Sequence, residues 1–236
     1  MASSLIAIHG KGGTGKSTVA RYLVHRLSAA GGVVAFDGDA SNGTLTRFHR
    51  DLVSRVPTDD PAGVAHWLEQ TVWPAAAAAG QTVVLDLGSG AERVFTAWAA
   101  DAGLLAVAED AQVAITLVGV LDPSKDALVP AKAAVEALPG ARHVMVRNAG
   151  RVKPGEDFQV INQHSAWQAI VAAGVTVVDM PMLQATMPIL DRLNAPFADA
   201  VAGCVRDGAA QISPFDRQRV TLWLRAMDQA FTPVLG

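Results

Sequence analysis

The segment from His9 to Thr18 reads His-Gly-Lys-Gly-Gly-Thr-Gly-Lys-Ser-Thr, and it constrains the chain more than any other stretch. The apolar residues Leu5-Ile6-Ala7-Ile8 precede it, and a stretch with Val19, Leu23 and Leu27 at helical spacing follows. Gly10, Gly15, Lys16 and Ser17 occupy the fixed positions of the pattern G-x-x-x-x-G-K-[ST]. A buried strand, a glycine turn and a helix N-terminus in that order make an anion site. The glycines let successive backbone N–H groups turn inward toward phosphate oxygens, and the helix adds its unsatisfied N–H groups and positive dipole end. In such a loop Lys16 neutralises the β- and γ-phosphates, and the Ser17 hydroxyl ligates Mg²⁺.

The chain beyond this loop alternates strands with helices. Val33 to Phe36 is wholly apolar, as buried parallel strands are, and runs into Asp37-Gly38-Asp39. Two carboxylates one residue apart at a strand end repel unless a cation or polar partner offsets them. Residues 48–60 are mixed and charged, and read as irregular or a short helix. Residues 61–79 read as helical, with Trp67, Leu68 and Val72 as core contacts. Gln81 to Asp86 is a strand ending in a carboxylate, and a strand-tip aspartate followed by Gly88 suits Mg²⁺, which keeps much of its water shell. Ala91 to Ala100 reads as a helix, Gly103 to Ala108 as an apolar strand, and Val113 to Leu121 as another strand. A helix follows, started by Asp122-Pro123-Ser124 and stopped at Pro139-Gly140. His143 to Asn148 and Val175 to Val178 complete the strands, with a helix around residues 166–173 between them. Short helices are expected around Pro188 and Pro196. Ser213-Pro214-Phe215-Asp216 starts a final helix with Val220, Trp223, Leu224, Met227 and Phe231 on one stripe. The expectation is a single α/β domain, residues 1–236: a doubly wound, mostly parallel sheet with helices on both faces.

A second lysine narrows the class. Lys11-Gly12-Gly13-Thr14-Gly15-Lys16-Ser17-Thr18 resembles the deviant Walker A motif, KGGxGK[ST], of the ParA/MinD family of P-loop ATPases. The resemblance implies that residues 12–18 bind ATP, and that Lys11 reaches across a dimer to the partner's nucleotide. It further implies that Asp37 and Asp39 form the D-x-D start of a switch, Asp39 lying near the attacking water. Ser17, Asp37 and Asp86 would serve Mg²⁺, and Gly88 would face the γ-phosphate. Asn148 would meet the adenine edge, since an amide donates and accepts at once. Arg151 stands where a GTPase of the Asn-Lys-x-Asp kind carries its aspartate. Pro181 and Met182 would flank the base. The chain departs from the family at Ala40-Ser41, where many members have Pro-Gln, and at Leu87-Gly-Ser-Gly90. A more diffuse similarity to the ParA-like proteins of conjugative plasmid transfer lies in Asp-x-Asp-x-x-Asn, the segment 86–95 and Arg217-Gln-Arg219.

Composition excludes several other functions. Charged residues make up only 17% and net charge is −3, so no global field draws the chain to nucleic acid or anionic membrane. Cys204 stands alone, which rules out a disulfide framework and a Cys-x-x-Cys site, and disfavours an iron–sulfur reductase. The six histidines show no ligand spacing for zinc. Leu87 replaces the first glycine that a Gly-x-Ser-x-Gly hydrolase elbow needs around Ser89. No basic leader or membrane span is evident, so a cytoplasmic protein is expected. The final helix lacks lysine on its polar face, and docking onto the domain is expected rather than membrane seeking.

These features together predict a switch ATPase with cofactors ATP and Mg²⁺. It would pair with itself when ATP is bound and answer to a protein activator or cargo, with non-specific DNA a candidate partner. A role in plasmid partition, transfer or intracellular positioning follows from the resemblance. A metabolic P-loop ligase or kinase, a membrane-positioning ATPase and a nucleotide-binding partner without turnover are the alternatives.

Overall fold

The computed structural model describes every residue except 1, 2, 30, 184, 206, 207, 209, 210 and 236. Seven strands form one sheet: β1 (Ser3–His9), β2 (Val33–Asp37), β3 (Val53–Arg55), β4 (Thr82–Asp86), β5 (Val113–Leu121), β6 (Arg142–Asn148) and β7 (Thr176–Met180). Their order is β3-β2-β4-β1-β5-β6-β7, and every pairing is parallel. Parallel strands need crossovers, and helices supply them. They are α1 (Lys16–Ser28), α2 (Thr44–Phe48), α3 (Pro61–Trp67), α4 (Trp73–Ala77), α5 (Ala91–Asp101), α6 (Leu104–Asp110), α7 (Leu128–Ala137), α8 (Gln159–Asn162), α9 (Ser165–Ala172), α10 (Met187–Leu193), α11 (Phe197–Ala202) and α12 (Pro214–Leu235).

The sheet is covered on both faces, so its inner strands are apolar on both. Ile6, Ile8 and Val84 pack with α1, α2, α10, α11 and α12, whereas Leu5, Ala7, Val83 and Leu85 pack with α3 to α7. A third cluster joins Met145 to α7, α8 and α9. The predicted stripe on α12 is buried in full at Val220, Trp223, Leu224, Met227 and Phe231. At about 1.5–3 kcal/mol for each such side chain, that burial amounts to roughly 10 kcal/mol, which holds the helix on the sheet. No helix of the described residues is long and apolar enough to cross a membrane.

Three elements differ from expectation. Residues 103–108, expected as a strand, are the N-cap and first turns of α6. Leu104 and Ala108 are buried one turn apart while Val107 is exposed, and Leu, Ala and Glu all favour helix. A short apolar run does not distinguish the two states by period alone. The charged stretch after Phe48 hides β3, a three-residue edge strand with only Val53 buried. The helix over residues 61–77 widens into a π segment at Leu68–Val72, where Pro74 removes the donor that the Gln70 carbonyl would otherwise meet. The helix that carries Val19, Leu23 and Leu27 ends at Ser28, short of the Gly31-Gly32 pair.

Candidate nucleotide site

The strand order reverses at β1. From β1 the chain goes to β2 and β3 on one side, returns to place β4 between β2 and β1, then crosses to β5, β6 and β7. A crevice opens above the carboxyl ends of the strands at such a reversal, and ligands of open α/β sheets bind there. The predicted site residues stand at these tips. His9 closes β1 before the glycine loop, Asp37 closes β2, Asp86 closes β4 and Asn148 closes β6. Asp37 and Asp86 are register partners on adjacent strands.

The loop between β1 and α1 is curled as a phosphate cradle. Gly15 sits at φ 105°, and a Cβ there would lie 2.4 Å from Asn148 Nδ2, so both backbone conformation and space demand glycine. Thr14 is fully buried, its hydroxyl donating to the Lys11 carbonyl at 2.9 Å. Lys16 begins α1 and folds back over the loop, donating to the carbonyls of Gly10 at 2.9 Å and Lys11 at 3.3 Å. Burial lowers its pKa, opposed by the charges of Asp86, Glu92 and Asp39. Lys11 turns the other way. Its ammonium lies 3.3 Å from Ser124 Oγ and 3.4 Å from Asp126 Oδ2, beyond β5 and outside the cradle.

The three carboxylates differ in state. Asp86 is buried, and its pKa is pushed up to about 7, first by burial and then by the Asp37 and Asp39 charges. A hydrogen bond from Ser17 and the Lys16 charge oppose that rise. Its Oδ1 is buried with no partner among the described residues. Asp37 is saturated by protein donors: Oδ1 accepts from the Asp39 N–H at 3.1 Å, and Oδ2 from the Thr46 N–H at 2.9 Å and hydroxyl at 3.0 Å. It fastens α2 to the β2 tip. Asp39 is partly exposed, and although burial alone would raise its pKa, hydrogen bonds from Asn42 and Ser41 leave it lowered and ionised. Arg55 of β3 donates to the carbonyls of Asp39, at 2.9 Å, and Ala40. Gly88 lies against this segment: a Cβ would come 2.9 Å from Asp39 Cα.

Two cavities meet here. One, of about 370 Å³, is lined by Gly12, Gly13, Gly15, Lys16, Ser17, Thr18, Asp39, Asp86 and Gly88, together with Arg21, Asn42, Arg151 and Asp191. The other, of about 450 Å³, is lined by Thr18, Asn148, Arg151, Met180, Pro181, Met187, Asp191 and Trp223. Of the predicted site residues, Lys11, Thr14, Asp37 and Met182 line neither cavity; Thr14 is buried beneath the loop and Met182 is exposed. Asn148 donates Nδ2 to the Thr14 carbonyl at 2.7 Å and accepts from the Gly150 N–H at 2.9 Å, so it braces the loop as well as lining the second cavity. Sequence reasoning overlooked Met180, Met187, Asp191, Trp223, Thr46 and Arg55. Trp223 donates its indole N–H to the Pro181 carbonyl at 2.7 Å and thereby fixes that wall.

Backbone amides, a buried lysine and a buried carboxylate at a strand-order reversal define a P-loop nucleotide-binding fold. The chain shares the fold of ParA/MinD-type proteins. It aligns with MinD from Aquifex aeolicus at a TM-score of 0.53 and 15% identity, over 96% of this chain and 97% of that one. It aligns with apo McdA from Cyanothece at a TM-score of 0.50 and 14% identity, over 95% and 99%. An aspartate-to-alanine variant of Cyanothece McdA in complex with ATP aligns at a TM-score of 0.52 and 14% identity, over 96% of each chain. No protein-family model and no curated protein sequence matches the chain.

Proposed function

We propose that the 236 residues act as one ATPase domain of the ParA/MinD kind, an ATP-dependent switch that pairs with a second copy of itself. The observation that carries this reading is the divergence of the two loop lysines: Lys16 folds into the cradle, whereas Lys11 extends out of it. An outward lysine at the start of the loop supports a role toward a nucleotide held by a facing subunit.

The loop amides and Lys16 bind the β- and γ-phosphates, and α1 directs its N-terminus at them. Asp39, kept ionised and aimed by Asn42 and Ser41, accepts a hydrogen bond from the attacking water. That water bonds to the γ-phosphorus, the bond to ADP breaks, and inorganic phosphate leaves. Lys11 of the facing subunit offsets charge developing on the phosphoryl oxygens, as an arginine finger does. Ser17 and the orphaned Asp86 oxygen fit Mg²⁺, a hard cation that takes oxygen ligands and keeps several waters. Bound there, Mg²⁺ would neutralise phosphate charge. Asp37 contributes by position, its oxygens being occupied by Asp39 and Thr46. Met180, Pro181 and Met187 offer the apolar wall for the adenine, and Asn148 faces its edge. Slow hydrolysis resets a surface read by an activator or cargo, in plasmid partition or transfer or in intracellular positioning.

Sizing in ADP and in ATP, for wild type, Lys11→Ala and Asp39→Ala, tests the proposal. The wild type should double in mass only with ATP, Lys11→Ala should stay single, and Asp39→Ala should remain paired because ATP persists. A wild type of unchanged mass in ATP would overturn it, as would a Lys11→Ala variant that pairs normally.

A further inference from the structure

Thr18, Arg151 and Asp191 line both cavities. In a nucleoside triphosphate the pentose joins the base to the phosphates, so side chains that border both compartments border the sugar. Among these three, Asp191 is the one that only accepts hydrogen bonds when ionised.

Asp191 is also held in place. Its Oδ1 accepts from Arg21 Nη1 at 2.8 Å, while Oδ2 has no partner among the described residues. Arg21 is nearly inaccessible, at 2% exposure. Its guanidinium lies 3.4 Å from the Phe48 ring centroid and 4.9 Å from that of Phe197. Nη2 reaches the Ala195 carbonyl at 3.3 Å. A planar cation stacked between two rings cannot swing, and a charge-assisted bond from it fixes the carboxylate that it grips. One carboxylate oxygen is thus anchored and the other is left without a bond among the described residues, on a side chain that borders both cavities.

A ribose presents two adjacent hydroxyls at that junction, and each can donate. We propose that Asp191 reads the ribose hydroxyls, so that the site takes ribonucleotides in preference to deoxyribonucleotides, with Arg21 as its positioning residue. This rests on the nucleotide reading above.

The test is equilibrium binding of the full chain, in Mg²⁺, to ATP, 2′-deoxy-ATP, 3′-deoxy-ATP and AMP. The wild type should bind ATP about tenfold more tightly than at least one deoxy analogue, the effect of one charge-assisted hydrogen bond. Asp191→Asn keeps an oxygen for Arg21 but loses the charge, and should shrink that ratio to about threefold or less. Its preference for ATP over AMP, which reads the phosphates, should stay at the wild-type value; a general loosening of the site would lower both ratios. Asp191→Glu, which keeps the charge on a longer arm, carries the same expectation if Asp191→Asn does not fold. Wild type that binds ATP and both deoxy analogues alike overturns the proposal and leaves the nucleotide reading intact. So does a variant that keeps the wild-type ribose ratio. Wild type that binds no ATP removes both.

Discussion

His9 ends β1 immediately before the phosphate loop, fully buried, with both ring nitrogens lacking a partner among the described residues. Its pKa is lowered from 6.5 to about 3, chiefly by burial and further by the nearby His143 and Lys16 charges. Such a group stays neutral in the fold but takes a proton in the unfolded chain as pH falls below 6.5. The unfolded state therefore binds more protons between about pH 6.5 and 3, and stability present above 6.5 is lost as pH falls through that window. Integrated from pH 8 to pH 5, the loss from this one side chain is about 2 kcal/mol. For a chain of this length that corresponds to a melting shift of about 4–8 °C. His9→Leu removes the titration. It also removes two orphaned polar atoms, so at pH 8 the variant should match or exceed the wild type by about 1–2 kcal/mol. Urea unfolding of both proteins at pH 8 and pH 5 measures the terms. The difference between them should widen in favour of His9→Leu by about 2 kcal/mol at the lower pH. Parallel pH dependence in the two proteins would refute the assignment of a neutral, unpartnered His9.

Three further outcomes follow from the site. Gly88→Ala places a Cβ 2.9 Å from Asp39 Cα, backbone that cannot yield cheaply, and ATP hydrolysis should fall more than about tenfold in a phosphate-release assay while ADP binding changes less. Arg55→Ala frees the Asp39 and Ala40 carbonyls at a partly exposed loop, and should cost under about 1 kcal/mol of stability yet slow turnover severalfold, read by melting and steady-state kinetics. Trp223→Phe keeps the apolar bulk but drops the bond to the Pro181 carbonyl; about 1 kcal/mol of stability and a severalfold loss of ATP affinity are expected from denaturation and calorimetry.

The glycine-loop side of the candidate site was legible because its information is local. One strand, one glycine turn and one helix start carry it; Asp37 and Asp86 each end a recognisable apolar run, and Asn148 ends a strand pattern one residue after Arg147. The wall of the second cavity was not, because no segment carries it alone. Asp191 and Trp223 lie on separate helices far along the chain, and only the fold sets them beside Thr18. Arg21 sits on α1 and is buried against Phe48 and Phe197, partners that no spacing rule connects to it. The α6 segment shows the same limit in reverse: its composition suited either period, and a crossover covering the β4 side of the sheet decided between them.

Asn148 reaches from β6 across the mouth of β5 to clasp the carbonyl of Thr14. The glycine loop is thereby stitched to a strand that is not its neighbour, a tie that holds its curl from within the fold. A host already set in form loses little entropy on admitting its ligand.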